Sequence, residues 1–299
     1  LFFIFCSNTC IVKASNMKNN KDEKPYSITM KQDILCLMMA YDEYIKDIKC
    51  ENDKMYIVME SGKKILYDDK KNKNFEEKIY NSDIQDMMEQ IYPLDTTGKL
   101  MDKDFDPGRF RVYPLLEDVY GNNSSTIQKN LKNINTSYGT VQFNNNSKAA
   151  ESLKNVLDEL HGISKSNGKL NSYIYPLNGT FNYRHIAGTN LLSPHAFGIA
   201  IDLVRDNRDY WKWATESQGQ ERIASYPKEI VETFEKNNFI WGGKWNHFDT
   251  LHFEYRPEII MKAKYFKNND KIKDPWYKGA PLEDKQVKDC VDKINKALK

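Results

Sequence analysis

His195 and Asp202 lie seven positions apart in Ser193-x-His195-x-x-Gly198-x-Ala200-x-Asp202, and that spacing restricts how the chain around them can fold if the two side chains work together. On a helix they would share a face but stand about 10.5 Å apart along the axis. That is too far for two ligands each about 2 Å from one ion. On a straight strand an odd separation sends them to opposite faces. The chain must therefore bend between them, and Gly198 is the residue suited to the bend. Beyond it, Ala200 and Asp202 share one strand face while Ile199, Ile201 and Leu203 share the other. This predicts a strand with an aliphatic core face and a carboxylate face flanked by a small residue.

A second segment follows: Trp241-Gly-Gly-Lys-Trp245-Asn-His-Phe-Asp249-Thr-Leu-His252-Phe-Glu. As a strand it puts His252 and Glu254 on one face, opposite Leu251, Phe253 and Tyr255. Asp249 reaches the His252 side only from the turn before the strand. His195, Asp202 and His252 supply two imidazoles and a carboxylate, a set suited to Zn²⁺ with one position open. Each piece alone also fits a plain structural role, such as a hydrogen-bonded strand histidine or a surface histidine in a turn. His161, His185 and His247 stay candidate ligands on spacing alone. There is no GxSxG and no GxxxxGK[ST], so Gly242-Gly243 reads as a turn rather than a phosphate cradle.

Composition narrows the classes. The 299 residues include 44 Lys and Arg against 42 Asp and Glu, only seven of the bases being arginine. Acid and base interleave, without the basic stripe of a nucleic-acid binder, so no nucleic-acid partner is expected. Past residue 15 no apolar run approaches the roughly 20 residues of a membrane span. Leu1 to Cys6 is apolar, and Val12-Lys13-Ala14 precedes a polar stretch. This reads as a truncated signal peptide and linker over 1–19, ahead of a buried N-terminal strand as the alternative. The spacing of Cys36, Cys50 and Cys290 shows neither a metal pair nor a disulfide framework.

Periodicity predicts a helix over 29–45 and a β-hairpin over 55–67. Further helices are expected at 81–92, 113–120, 126–134, 148–160 and 228–237, with an amphipathic one at 282–298. Strands are expected at 173–177, 199–204, 239–241 and 251–255. The division is an N-terminal region of unknown role at 20–145, a metal-bearing domain at 146–265 and a helical extension at 266–299.

The paired motifs, SxHxxGxAxD at 193–202 and DxxHF at 249–253, resemble the bacterial D-Ala-D-Ala carboxypeptidase/L-Ala-D-Glu endopeptidase family of zinc peptidases, which includes VanY-type carboxypeptidases, vancomycin-resistance dipeptidases and phage endolysins. The resemblance is strongest over about residues 170–256. It implies an α+β fold of the hedgehog/DD-peptidase kind, a small antiparallel sheet carrying the zinc with flanking helices. To this the sequence adds an N-terminal helix and hairpin. It implies zinc ligation by His195, Asp202 and His252, with Asp249 as catalytic carboxylate. It also implies an arginine at 184 that contacts substrate carbonyl or carboxylate, with Ser193 and Trp245 supporting the substrate site. The dipeptidase and carboxypeptidase branches usually carry Glu where this chain has Asp249, which points toward the endopeptidase branch. The expected protein is a secreted or cell-envelope bacterial hydrolase acting on peptidoglycan stem peptides. Its alternatives are a D-alanyl-D-alanine carboxypeptidase and a non-catalytic wall-binding protein that keeps the fold.

Overall fold

The computed structural model describes residues 23–95, 98–267 and 275–298, so the expected leader at 1–19 lies outside the described residues. The first half begins with α1 (Glu23–Ala40), β1 (Ile45–Glu51), β2 (Lys54–Met59) and β3 (Lys64–Leu66). It continues through α2 (Phe75–Asn81), α3 (Ile84–Met88), α4 (Tyr113–Tyr120), α5 (Ser124–Asn130), β4 (Leu131–Thr136) and β5 (Gly139–Asn144). The second half holds α6 (Ala149–Ser164), α7 (Gly168–Ile174), α8 (Pro194–Phe197), β6 (Ala200–Asp202), α9 (Glu216–Ser225) and α10 (Lys228–Lys236). Then come β7 (Phe239–Trp241), β8 (His252–Tyr255), α11 (Pro257–Tyr265) and α12 (Lys285–Ala297). Small antiparallel sheets among helices give the expected α+β class.

The sheet that matters for the site has strand order β6-β8-β7. Asp202 faces His252 across it and Ala200 faces Glu254. Strand alternation sends Phe253 to the opposite face. There its ring stacks on Phe234 of α10 at 3.9 Å between centroids and lies near Trp241 and Tyr226. Each such aromatic removes a large apolar area from water, so one face of β8 is anchored in the core while the other carries the polar residues. α10 supplies Ile230, Val231 and Phe234 to that core.

Several elements differ from the sequence-based expectation. The first helix starts before Thr29 and ends at Ala40, and Ile45 already belongs to β1, paired with Met59. The 126–134 helix stops at Asn130, because Leu131 onward pairs with β5 across a turn at Gly139, whose φ of 104° suits glycine. Both are cases of cross-strand pairing overriding local helical preference. No strand forms at 173–177: Leu170 and Ile174 are buried four apart on α7. Cys36 and Cys290 are free, buried thiols, whereas Cys50 is disulfide-bonded, which its spacing did not announce.

The N-terminal helix is built into the rest of the molecule. α1 packs on α11 and α12, and buried side chains form one core cluster from Ile28 to Ile294. Across that contact Lys262 pairs with Asp33 at 2.6 Å and the Tyr41 hydroxyl donates to Glu258 at 2.8 Å. Both acids are almost fully buried, so each requires its partner.

Candidate metal centre

The bend expected at Gly198 is present. Ser193 N-caps the short helix α8 by accepting from the His195 amide, and Gly198 ends it in the left-handed region at φ 70°. A Cβ at Gly198 would lie 2.6 Å from Leu131 Cδ2 and 3.2 Å from the Asn144 nitrogen. Asn144 fixes the same corner, donating its backbone amide to Gly198 O and its side-chain amide to Phe197 O. The chain then enters β6, and the two faces predicted for that strand are the two it shows.

As a result, three ligand atoms converge. His195 Nε2 stands 3.1 Å from Asp202 Oδ1 and 3.3 Å from His252 Nδ1, and His252 Nδ1 stands 3.0 Å from Asp202 Oδ1. His195 donates its other nitrogen, Nδ1, to the carbonyl of Thr180 at 2.6 Å, which leaves Nε2 as the free lone pair. His252 turns its Nε2 toward Glu254 Oε2 at 3.8 Å. Glu254 is fully buried and gripped by Arg111 through two bonds of 2.9 and 2.6 Å. Two imidazoles and a carboxylate, each imidazole with its second nitrogen directed at an acceptor, fit a tetrahedral cation with one open position.

Charge follows this arrangement. Burial penalises the Asp202 carboxylate, but hydrogen bonds from His195 and His252 outweigh it and hold the group well below the usual carboxylate range. Burial disfavours the charged form of His252, yet the hydrogen bond to Asp202 and the nearby Glu254 carboxylate raise it to about 10. A cation held among these atoms would take the place of that proton.

Asp249 lies in the turn before β8, as its face required. Its amide donates to Gly242 O, and its carbonyl receives the His252 amide. Gly242 has no room for a side chain, since a Cβ there would meet Asp249 O at 2.4 Å. Loss of solvent pushes the Asp249 carboxyl up to about 7, with Asp202 and Asp209 adding to the rise and His252 and Arg109 opposing it.

The remaining expected residues are placed less uniformly. Arg184 is exposed, and its guanidinium donates to the carbonyl of His185 at 3.4 Å. Its backbone is tied to the site, because Ser193 N donates to Arg184 O and Asn182 N to His195 O. Ser193 is buried as a cap. Trp245, expected to meet substrate, is only 4% exposed, donates its indole N–H to Pro107 O and lies 5.8 Å from the His252 ring. It therefore walls the ligand rather than presenting a face to solvent. His247 is held by Asp106 at 2.6 Å, His161 packs edge-on to Tyr138, and His185 is exposed, so none of the three joins the cluster.

The profile of the D-alanyl-D-alanine carboxypeptidase family matches residues 187–255. That segment contains all three convergent ligands and Asp249. Residues 187–255 thus resemble a D-alanyl-D-alanine carboxypeptidase. The matched stretch is under a third of the chain and starts just after Arg184. No curated protein and no solved structure matches the chain.

Sequence reasoning missed Arg111, although the alternation that put Glu254 beside His252 pointed to a group in need of a partner. It also missed Asp209, fully buried, which receives Arg222 Nε at 2.7 Å and the Thr250 hydroxyl at 2.5 Å. A second acidic group among the described residues, Asp68, Asp69 and Asp83, is already met by Lys70, Lys71 and Lys73. No described helix is long and apolar enough to cross a membrane.

Proposed function

We propose that this protein is a zinc-dependent peptidase of the bacterial cell envelope that hydrolyses peptidoglycan stem peptides. One observation carries the reading: the ligand atoms of His195, Asp202 and His252 lie within 4.8 Å of one another, inside the segment that matches a peptidase family. A zinc ion held by His195, Asp202 and His252 would supply an electrophile for the scissile carbonyl and would acidify water toward neutrality. Asp249, on the turn beside His252, accepts a proton from the attacking water and returns it to the leaving amine. Its raised carboxyl suits that exchange near neutral pH. Arg184, permanently charged, binds a substrate carboxylate or meets the developing oxyanion. Residues 146–265 carry this chemistry, and the regions at 20–145 and 266–299 brace it.

For the scissile bond the reading takes L-Ala-D-Glu first, because an aspartate stands at 249. The D-alanyl-D-alanine bond is second, favoured by the matching family's description. A defined stem pentapeptide, compared with its C-terminal amide, separates the two. An endopeptidase cleaves both at the same internal bond, whereas a carboxypeptidase releases alanine from the free acid alone. Cleavage of neither peptide, with zinc supplied, contradicts the proposal.

A further inference from the structure

We propose that Arg111, outside the matched peptidase segment, is a positioning residue for the metal centre, acting through Glu254 on His252. The inference rests on the metal-centre reading above. With Nδ1 turned to the cluster, a metal-bound His252 would carry its proton on Nε2, and an acceptor must lie in that direction. Glu254 Oε2 is the carboxylate there, 3.8 Å away. Glu254 is also two residues from His252 on the same strand face, with Ala200 of β6 and Ile240 of β7 as its cross-strand neighbours, neither of which offers its carboxylate a polar side chain. Unrestrained, this carboxylate could turn away from the imidazole or toward the ligand atoms.

Arg111 removes that freedom. Its Nε and Nη2 clasp both carboxylate oxygens at 2.9 and 2.6 Å, the two-pronged geometry that fixes a carboxylate in plane and rotation. Arg256 adds a contact at 3.3 Å from the same strand's end. The segment delivering Arg111 is itself seated on the site-bearing chain. Asn246 N donates to Phe105 O at 2.8 Å, Trp245 Nε1 to Pro107 O at 2.9 Å and Arg256 to Gly108 O. Gly108 is left-handed at φ 81°, and a Cβ there would stand 2.7 Å from Ile240 Cδ1, so the loop lies directly on β7. The N-terminal region thus completes the support of a metal ligand that belongs to the other half of the chain.

A plain structural ion pair would use the same contacts, so the test must read the metal rather than stability. The full chain and the variants Arg111→Met, Arg111→Lys and Glu254→Gln are compared below their unfolding temperatures. Zinc dissociation constants come from competition with a chromophoric chelator, and the cobalt-substituted proteins give visible spectra. Loss of an outer partner of a metal-bound histidine typically weakens metal binding about 10–100-fold. That loss is expected for Arg111→Met and Glu254→Gln, with shifted cobalt bands. Arg111→Lys, which keeps charge without the fork, should fall between them and wild type. If Arg111→Met does not fold, the other two variants decide. Wild-type affinity and spectrum in the folded variants overturn the proposal and leave the peptidase reading standing. A wild-type chain that binds no zinc overturns both.

Discussion

Asp202 and His252 are direct cross-strand partners on β6 and β8, so the register of the sheet places a carboxylate oxygen and an imidazole nitrogen 3.0 Å apart on one face. A one-residue slip would send one of them into the core. The aromatic stack of Phe253 on Phe234 opposes that slip from the other face. His195 comes to the pair from outside the sheet, through the bend at Gly198.

That bend gives the first prediction. Gly198→Ala forces a Cβ into Leu131 at a positive φ. It should cost at least about 1–2 kcal/mol of stability by chemical denaturation. Zinc affinity should fall as well, because the shift is passed directly to His195. Unchanged affinity in the folded variant would show that His195 is placed by something other than this corner.

Asp249→Asn should retain zinc binding and lose turnover by at least about 100-fold. It also carries a pH signature. The folded carboxyl, pushed up to about 7, binds its proton more tightly than an ordinary carboxyl at 3.8. Its contribution to stability is therefore present below about pH 4 and is lost as pH rises through 7. In the metal-free protein Asp249→Asn should melt above wild type at pH 8, by about 2–4 °C per kcal/mol recovered. The gain should vanish near pH 4. Thermal melts at both pH values check the sign, and a variant that melts below wild type at pH 8 contradicts it.

Metal removal has its own expected size. Zinc at about 100 times its dissociation constant adds about 2.7 kcal/mol to the folded state. Chelation should lower the melting temperature by several degrees. His195→Ala should melt at one temperature with or without zinc. Calorimetry of the four samples suffices, and a zinc-dependent shift in the variant would place the ion elsewhere.

A fourth prediction concerns the seam between the two halves. Lys244, 1% exposed, donates to Pro93 O at 2.6 Å and pairs with Glu235 at 2.5 Å, and Tyr92 donates to the same carboxylate at 2.6 Å. Lys244→Met leaves Glu235 buried without its cation, which should cost about 3–5 kcal/mol. The double variant with Glu235→Gln should recover part of the loss. A loss below 1 kcal/mol would mean that water reaches the carboxylate.

Much of the candidate metal centre was legible because its constraints are local. The odd spacing of His195 and Asp202 demanded a bend, the alternation after Gly198 assigned the faces, and Asp249 had to sit in a turn. Support from a distance was not legible. Nothing near Arg111 signals that its guanidinium ends on Glu254, because contact across such a separation depends on the tertiary path of the 105–111 loop. Trp245 was misplaced for a similar reason: its sequence position beside the site says nothing of Pro107, which claims its N–H. β4 escaped because its helical period was acceptable until β5 offered a partner.

The measurement that bears most directly on the central claim is mass spectrometry of purified muropeptides. They would be incubated with the protein plus zinc, with the chelated protein, and with His195→Ala. The account predicts a defined mass loss from the stem peptide in the first sample and none in the other two. Cleavage that survives chelation or the variant, or intact muropeptides in all three while zinc is bound, would contradict it.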